Sequence, residues 1–217
     1  MKISPTLTEV KEIAKTGKYD ILPVSCEILS DFITPIEAMR ILQNVSTHCY
    51  LLESAQANEA WGRYTFLGYD PKLEINCIDG HMKLGKLSVE TENPSEYIRQ
   101  ILSEYKSPKF DYLPSFTGGL VGYFSYDYLG YKEKSIRGKA RDTEDFKDVD
   151  LMLFDKVIAF DNLCQKIILI ANMSLDAPET GYNKAIVELK QLRELLMHGE
   201  KKQNMGGKLL GEVTPLF

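Results

Sequence analysis

Short apolar runs of strand length, joined by turn signals and only occasionally by a helix, constrain this 217-residue chain more than any other feature. Asp79-Gly80 separates the run 72–78 from the run 81–84, and such a dipeptide supplies the backbone angles of a tight hairpin. Asp161-Asn162 stands in the same way between residues 151–160 and 165–171. A further pair of short apolar runs, 50–52 and 64–69, flanks a polar loop. Hairpins with interposed helices, rather than regular β-α-β alternation, predict an α+β fold. The expected architecture is a largely antiparallel β-sheet packed with about three helices.

The helices are marked by their starts. Thr34-Pro35-Ile36-Glu37 reads as a capping box with proline at the first helical position. Ile36, Met39, Leu42 and Val45 then repeat along one face. Asn93-Pro94-Ser95-Glu96 has the same grammar, followed by Ile98, Ile101, Leu102 and Tyr105 at helical spacing. A longer helix over 178–198 carries Ile186, Leu189, Leu192 and Leu196. Residues 1–18 are polar with helical spacing at Val10, Ile13 and Ala14, and Gly17 reads as a stop. Residues 118–127 read as a strand interrupted by glycines. The charged stretch 132–150 is expected to be an exposed loop.

Composition narrows the class. Apolar content of 44% and charged content of 26% are those of an ordinary globular protein. A net charge of -5 with dispersed basic residues argues against nucleic acid as a partner. No run approaches the ~20 apolar residues of a membrane span, and residues 1–20 lack the apolar core of a signal peptide. A cytoplasmic location without membrane contact is therefore expected. Cys26, Cys49, Cys77 and Cys164 form no C-x-x-C pair, and three of them sit in apolar runs where reduced structural thiols are expected. His48, His81 and His198 lack metal-ligand spacing, so no metal site or cofactor is expected from this chain itself.

Residues 50–71, YLLESAQANEAWGRYTFLGYDP, hold the densest polar cluster at a strand end. Glu53, Ser54 and Arg63 stand where strand meets loop. A hydroxyl that donates and accepts, beside a guanidinium that can fork onto a carboxylate, suits a small zwitterion such as an amino acid. The plainer alternatives are that Ser54 satisfies a local backbone group and that Glu53 and Arg63 pair with each other at the surface. Gly118, Gly119 and Gly122 do not form a dinucleotide fingerprint; they suit close approach of another backbone.

Three blocks in order, LPVSCEILSDFITPIEA (residues 22–38), LLESA with WGRYTFLGYDP, and PSFTGGLVGYFSYD (residues 114–127), resemble the N-terminal region of anthranilate synthase component I. The resemblance covers the chain from about Tyr19 onward. It implies residues 1–18 as a leading helical or polar segment and 19–199 as the family's N-terminal domain. Residues 200–217 would be a linker and the start of a catalytic domain that this chain does not contain, and the apolar run 209–217 resembles a chain cut before its next element.

The family converts chorismate and ammonia or glutamine to anthranilate and pyruvate in tryptophan biosynthesis. The resemblance therefore implies Mg2+ for the full-length enzyme, a C-terminal chorismate-binding domain in the same polypeptide, and a glutamine amidotransferase subunit as partner. It implies no catalytic residue in this chain, which alone should be inactive. Ser54, Glu53 and Arg63 map onto its L-tryptophan feedback site. Cys26 departs from the arginine many relatives carry there. Two other readings stay open on the sequence: the related aminodeoxychorismate synthase component I, and a free-standing amino-acid-binding or scaffold module.

Overall fold

A computed structural model describes residues 1–53, 62–133, 135 and 146–202. In chain order the strands are β1 (Ile3–Ser4), β2 (Ile21–Leu29), β3 (Cys49–Leu52), β4 (Tyr64–Tyr69), β5 (Leu73–Ile78), β6 (His81–Leu84), β7 (Leu87–Glu90), β8 (Gly119–Phe124), β9 (Val149–Phe154), β10 (Lys156–Asp161) and β11 (Lys166–Ser174). The helices are α1 (Leu7–Lys15), α2 (Pro35–Val45), α3 (Pro94–Ser103) and α4 (Pro178–His198), with a 3-10 helix over Tyr126–Tyr131. The strands form two wholly antiparallel sheets. One runs β1-β2-β11-β10-β4-β3 and the other β7-β6-β5-β9-β8. The α+β expectation holds, with one α-helix more than expected.

The two sheets are joined through one ribbon. Strand β4 pairs with β10 in the six-stranded sheet, and their direct continuations β5 and β9 pair in the five-stranded sheet. The single apolar run expected over 151–160 is thus two strands in different sheets, divided at Asp155. Hydrophobicity continues across the break because residues on both sides are buried, and periodicity alone does not register a change of sheet. Several bonds hold this corner. The Lys72 amide donates to the Leu153 carbonyl at 2.7 Å, and Lys156 Nζ lies 2.8 Å from Asp70 Oδ2. Asn172 ties in a third element. Its backbone and side-chain nitrogens donate to the Asp155 carbonyl at 2.8 and 3.0 Å, and Nδ2 also donates to the Thr117 carbonyl at 2.6 Å.

The six-stranded sheet is covered on both faces, which explains the unbroken apolar run in β11. Ile167, Leu169, Ala171 and Met173 pack with α1, α2 and α4. Ile168 and Ile170 face the other way, under Phe110, Leu113 and Phe116. On α4, Tyr182, Ala185, Leu189, Leu192 and Leu196 form the buried stripe, close to the expected one. On α2 the buried residues are Ala38, Ile41 and Leu42, while Ile36 and Val45 are exposed. The expected stripe was rotated, because small Ala38 lies against the sheet where a larger apolar residue was anticipated.

The capping box of α2 forms as expected: Thr34 accepts from the Glu37 amide, and Glu37 accepts from the Thr34 amide. At α3 it does not. Asn93 Nδ2 donates to Glu96 Oε1 and Asn93 Oδ1 accepts from Ser95, so its side chain is diverted from the N3 amide.

The five-stranded sheet packs Ile75, Cys77, Met82, Val149 and Leu151 against Ile98 of α3 and against Tyr128 and Tyr131. Asp79 and Gly80 form the hairpin turn with φ of 47° and 84°, as their sequence predicts. Within the stretch expected to be exposed, Asp148 is buried. Its Oδ2 accepts from the Tyr131 hydroxyl at 2.7 Å and the Asp79 amide at 2.8 Å, fixing the 3-10 helix to the β5–β6 turn. Most of that stretch, residues 136–145, lies outside the described residues.

The Asn172 bonds generate a direct expectation. Asn172→Ala leaves the Thr117 carbonyl without that donor and should cost about 1–2 kcal/mol of unfolding free energy, measured by urea titration.

Candidate functional site

The two runs at 50–52 and 64–69 form β3 and β4 as expected, paired from Cys49↔Tyr69 to Leu52↔Phe66. Leu52 ends β3, Arg63 precedes β4 and Asp161 ends β10, so all three stand at one end of the six-stranded sheet. Glu53 is exposed there. Ser54 lies outside the described residues.

Arg63 is held tightly, though by neither of the partners anticipated. Its Nε donates to Asp161 Oδ1 at 3.0 Å and Nη2 to Asp161 Oδ2 at 2.7 Å. The guanidinium also sits 4.9 Å from the centre of the Tyr64 ring, and Nη2 reaches Cys164 Sγ at 3.6 Å. Asp161 Oδ1 accepts as well from the Leu163 and Cys164 amides at 3.2 and 3.1 Å. The Asp161 side chain is only 4% exposed against 36% for Arg63, so the pair reaches water through the guanidinium.

Chemically, this is a bidentate clamp with one edge already filled. The Arg63 hydrogen bond is the main reason the Asp161 carboxyl lies below its ordinary value, and the same bond raises the Arg63 guanidinium above its own. The ligand carboxylate envisaged for the full fork meets an edge occupied by Asp161; Nη1 is the nitrogen left uncommitted by these bonds. Asp161 was visible in the sequence only as part of a turn. Its signal was a carboxylate placed beside a strand-start arginine by the β4–β10 pairing, which is a long-range fact.

Tyr50 lies on β3, which ends one residue before Glu53, and its ring packs against its cross-strand neighbour Gly68. A methyl group at Gly68 would sit 2.2 Å from that ring, so glycine is required there. Phe154 meets Tyr50 edge-on with centroids 4.7 Å apart, and Phe116 does so at 6.3 Å. The Tyr50 hydroxyl is buried without a hydrogen-bond partner among the described residues, and burial pushes its pKa up. Sequence reading missed this residue, since an apolar strand gives no sign of an unsatisfied hydroxyl.

Elsewhere, a cleft of about 500 Å3 opens beside the sheet corner, lined by Asp70, Lys72, Lys156, Lys184 and Glu188 among others. Its Lys156 and Asp70 pair with each other. All four cysteines are unbridged, with Cys26 and Cys77 buried, Cys49 half-buried and Cys164 exposed. No group of three or more His, Cys, Asp or Glu among the described residues is arranged to hold a metal ion. No helix among them is long and apolar enough to cross a membrane.

No family model matches the chain. Individual proteins do. The chain is 34% identical over 198 residues to anthranilate synthase component 1 of Acetivibrio thermocellus, covering 88% of this chain and 39% of that protein. It is 36% identical over 196 residues to the Pseudomonas aeruginosa protein of the same name, covering 87% and 39%. The chain belongs to the anthranilate synthase component I family. A crystal structure of anthranilate synthase component I from Streptococcus pneumoniae superimposes with a TM-score of 0.50 at 25% identity, covering 76% of this chain and 36% of that one. The chain thus spans about two fifths of the length of these curated relatives.

Two outcomes test the geometry. Asp161→Asn should cost about 2 kcal/mol at neutral pH, since it removes a charge-assisted bidentate pair with one buried member. A carboxyl whose folded pKa is depressed stabilises fully above its ordinary value of 3.8 and loses that contribution as pH falls through the folded value. The gap between parent and variant should therefore narrow below about pH 3.8, read from urea unfolding across a pH series. Tyr50→Phe removes a buried hydroxyl that has no partner among the described residues and should stabilise by about 1 kcal/mol in the same assay.

Proposed function

We propose that this chain is the N-terminal, regulatory portion of an anthranilate synthase component I and contributes to the site at which L-tryptophan inhibits the enzyme. The observation that carries the reading is the 34–36% identity to component 1 proteins over most of this chain but only 39% of theirs. The whole enzyme would convert chorismate, with ammonia delivered by a glutamine amidotransferase subunit, to anthranilate and pyruvate in the cytoplasm. Its chorismate and Mg2+ groups would be supplied by a C-terminal domain of the same polypeptide, and this chain alone would be inactive.

Within that reading Ser54 and Glu53 meet the amino-acid backbone of the inhibitor, with Glu53 toward the ammonium. Arg63 supplies positive potential at the same sheet end. Its bonds to Asp161 tie the start of β4 to the end of β10. Tryptophan then favours a state in which a distant chorismate site is less competent, a coupling of typically ~1–3 kcal/mol.

In the complete enzyme, Ser54→Ala should raise the tryptophan concentration for half-inhibition about tenfold, the loss of one hydrogen bond to a charged group, with uninhibited turnover nearly unchanged. Steady-state anthranilate fluorescence at graded tryptophan measures both. An unmoved inhibition curve overturns the assignment of Ser54.

A further inference from the structure

Strand β8 is the outer strand of the five-stranded sheet, bonded to β9 on one side and to no strand among the described residues on the other. Its sequence, GLVGYF, contains no charge and no proline. Edge strands are ordinarily protected by charge, proline, brevity or a cover, because an open row of amides and carbonyls templates another strand. At the opposite edge β7 has four residues and ends on Glu90. β8 has six residues without charge or proline, and no strand among the described residues covers its outer side.

The side chains around β8 add to the contrast. Tyr123 is 38% exposed, Phe124 49%, Tyr126 83%, Leu129 49% and Phe146 58%. Leu120 packs toward α3, so alternation turns Val121 and Tyr123 to the opposite face, in register with Met152 and Asp150 of β9. That gives an apolar margin several residues wide along an open edge.

Gly122 has φ of +154°, and a Cβ there would lie 2.0 Å from the Asp150 carbonyl oxygen of β9, so the β8–β9 pairing at this point requires glycine.

We propose that the open edge of β8 is completed by an extended apolar strand from the remaining length of the same polypeptide, continuing the five-stranded sheet. The proposal rests on the reading that this chain is part of a longer component I protein. Relatives carry about three fifths of their length beyond the matched portion, enough for further sheet-forming elements. A strand tethered in the same chain is presented at high effective concentration, which favours it over a second copy in solution. Backbone pairing supplies the affinity, and the Val121–Tyr123 face supplies the side-chain fit.

Hydrogen–deuterium exchange of residues 119–124 in this 217-residue chain and in the complete polypeptide tests the seam. The expected result is at least hundredfold slower exchange in the complete polypeptide, with Val121→Lys abolishing most of that protection there while shifting the melting of the 217-residue chain little. Equal exchange in the two wild-type proteins overturns the proposal, whether or not the variant folds. So does a dimer of the 217-residue chain, seen by sedimentation, that Val121→Lys dissociates and that already protects β8, since a second copy is then the occupant. Tryptophan inhibition is measured on the same complete enzyme. Inhibition without protection of β8 overturns the seam alone, and protection without any response to tryptophan overturns the regulatory reading alone.

Discussion

The ribbon formed by β4–β5 and β9–β10 is the constraint on which the rest of the fold depends. Each sheet contains one half of it, and the division falls at Asp155 and at residues 70–72. Backbone groups at such a break lose their ladder partners, so they must be satisfied by something else. Asn172 does this for the Asp155 and Thr117 carbonyls together. One side chain on β11 thereby connects both sheets and the segment that leads into β8. Gly118 lies against the same amide: a Cβ there would come within 2.6 Å of Asn172 Nδ2.

From that corner the two sheets diverge in character. The six-stranded sheet packs its two faces against three helices and against the Phe110–Leu113–Phe116 cover. The candidate site read from the sequence lies at one end of this sheet, near where β3 and β10 stop and β4 begins and where the Arg63–Asp161 pair is anchored. The five-stranded sheet has α3 on one face only, and its β8 margin stays apolar and open.

Much of this was legible in particular residues. Asp79-Gly80 specified its hairpin because glycine and aspartate tolerate the angles that turn needs. Thr34 and Glu37 specified the start of α2 because the capping bonds are local. Asn93 and Glu96 show the limit of that rule: side chains able to cap also bond one another, and here they do. The stripe on α2 was misplaced for a related reason. Ile36 and Val45 have helical spacing, but which face meets the sheet depends on how Ala38 and Gly199 allow the helix to approach; a Cβ on Gly199 would lie 2.5 Å from Ile41.

The sequence by itself determined the hairpins, the helices and the family blocks, since turn angles, capping and periodicity involve residues within a few positions of each other. It also placed Glu53 and Arg63 where strand meets loop, as they stand after β3 and before β4. Only tertiary structure decided that residues 151–160 belong to two sheets, that Arg63 is clasped by Asp161 almost a hundred residues away in sequence, and that, among the described residues, the Tyr50 hydroxyl is buried without a partner and β8 is an outer strand. Each of those is a question of which strand lies beside which, and strand pairing is set by burial over the whole sheet rather than by the residues of any one strand.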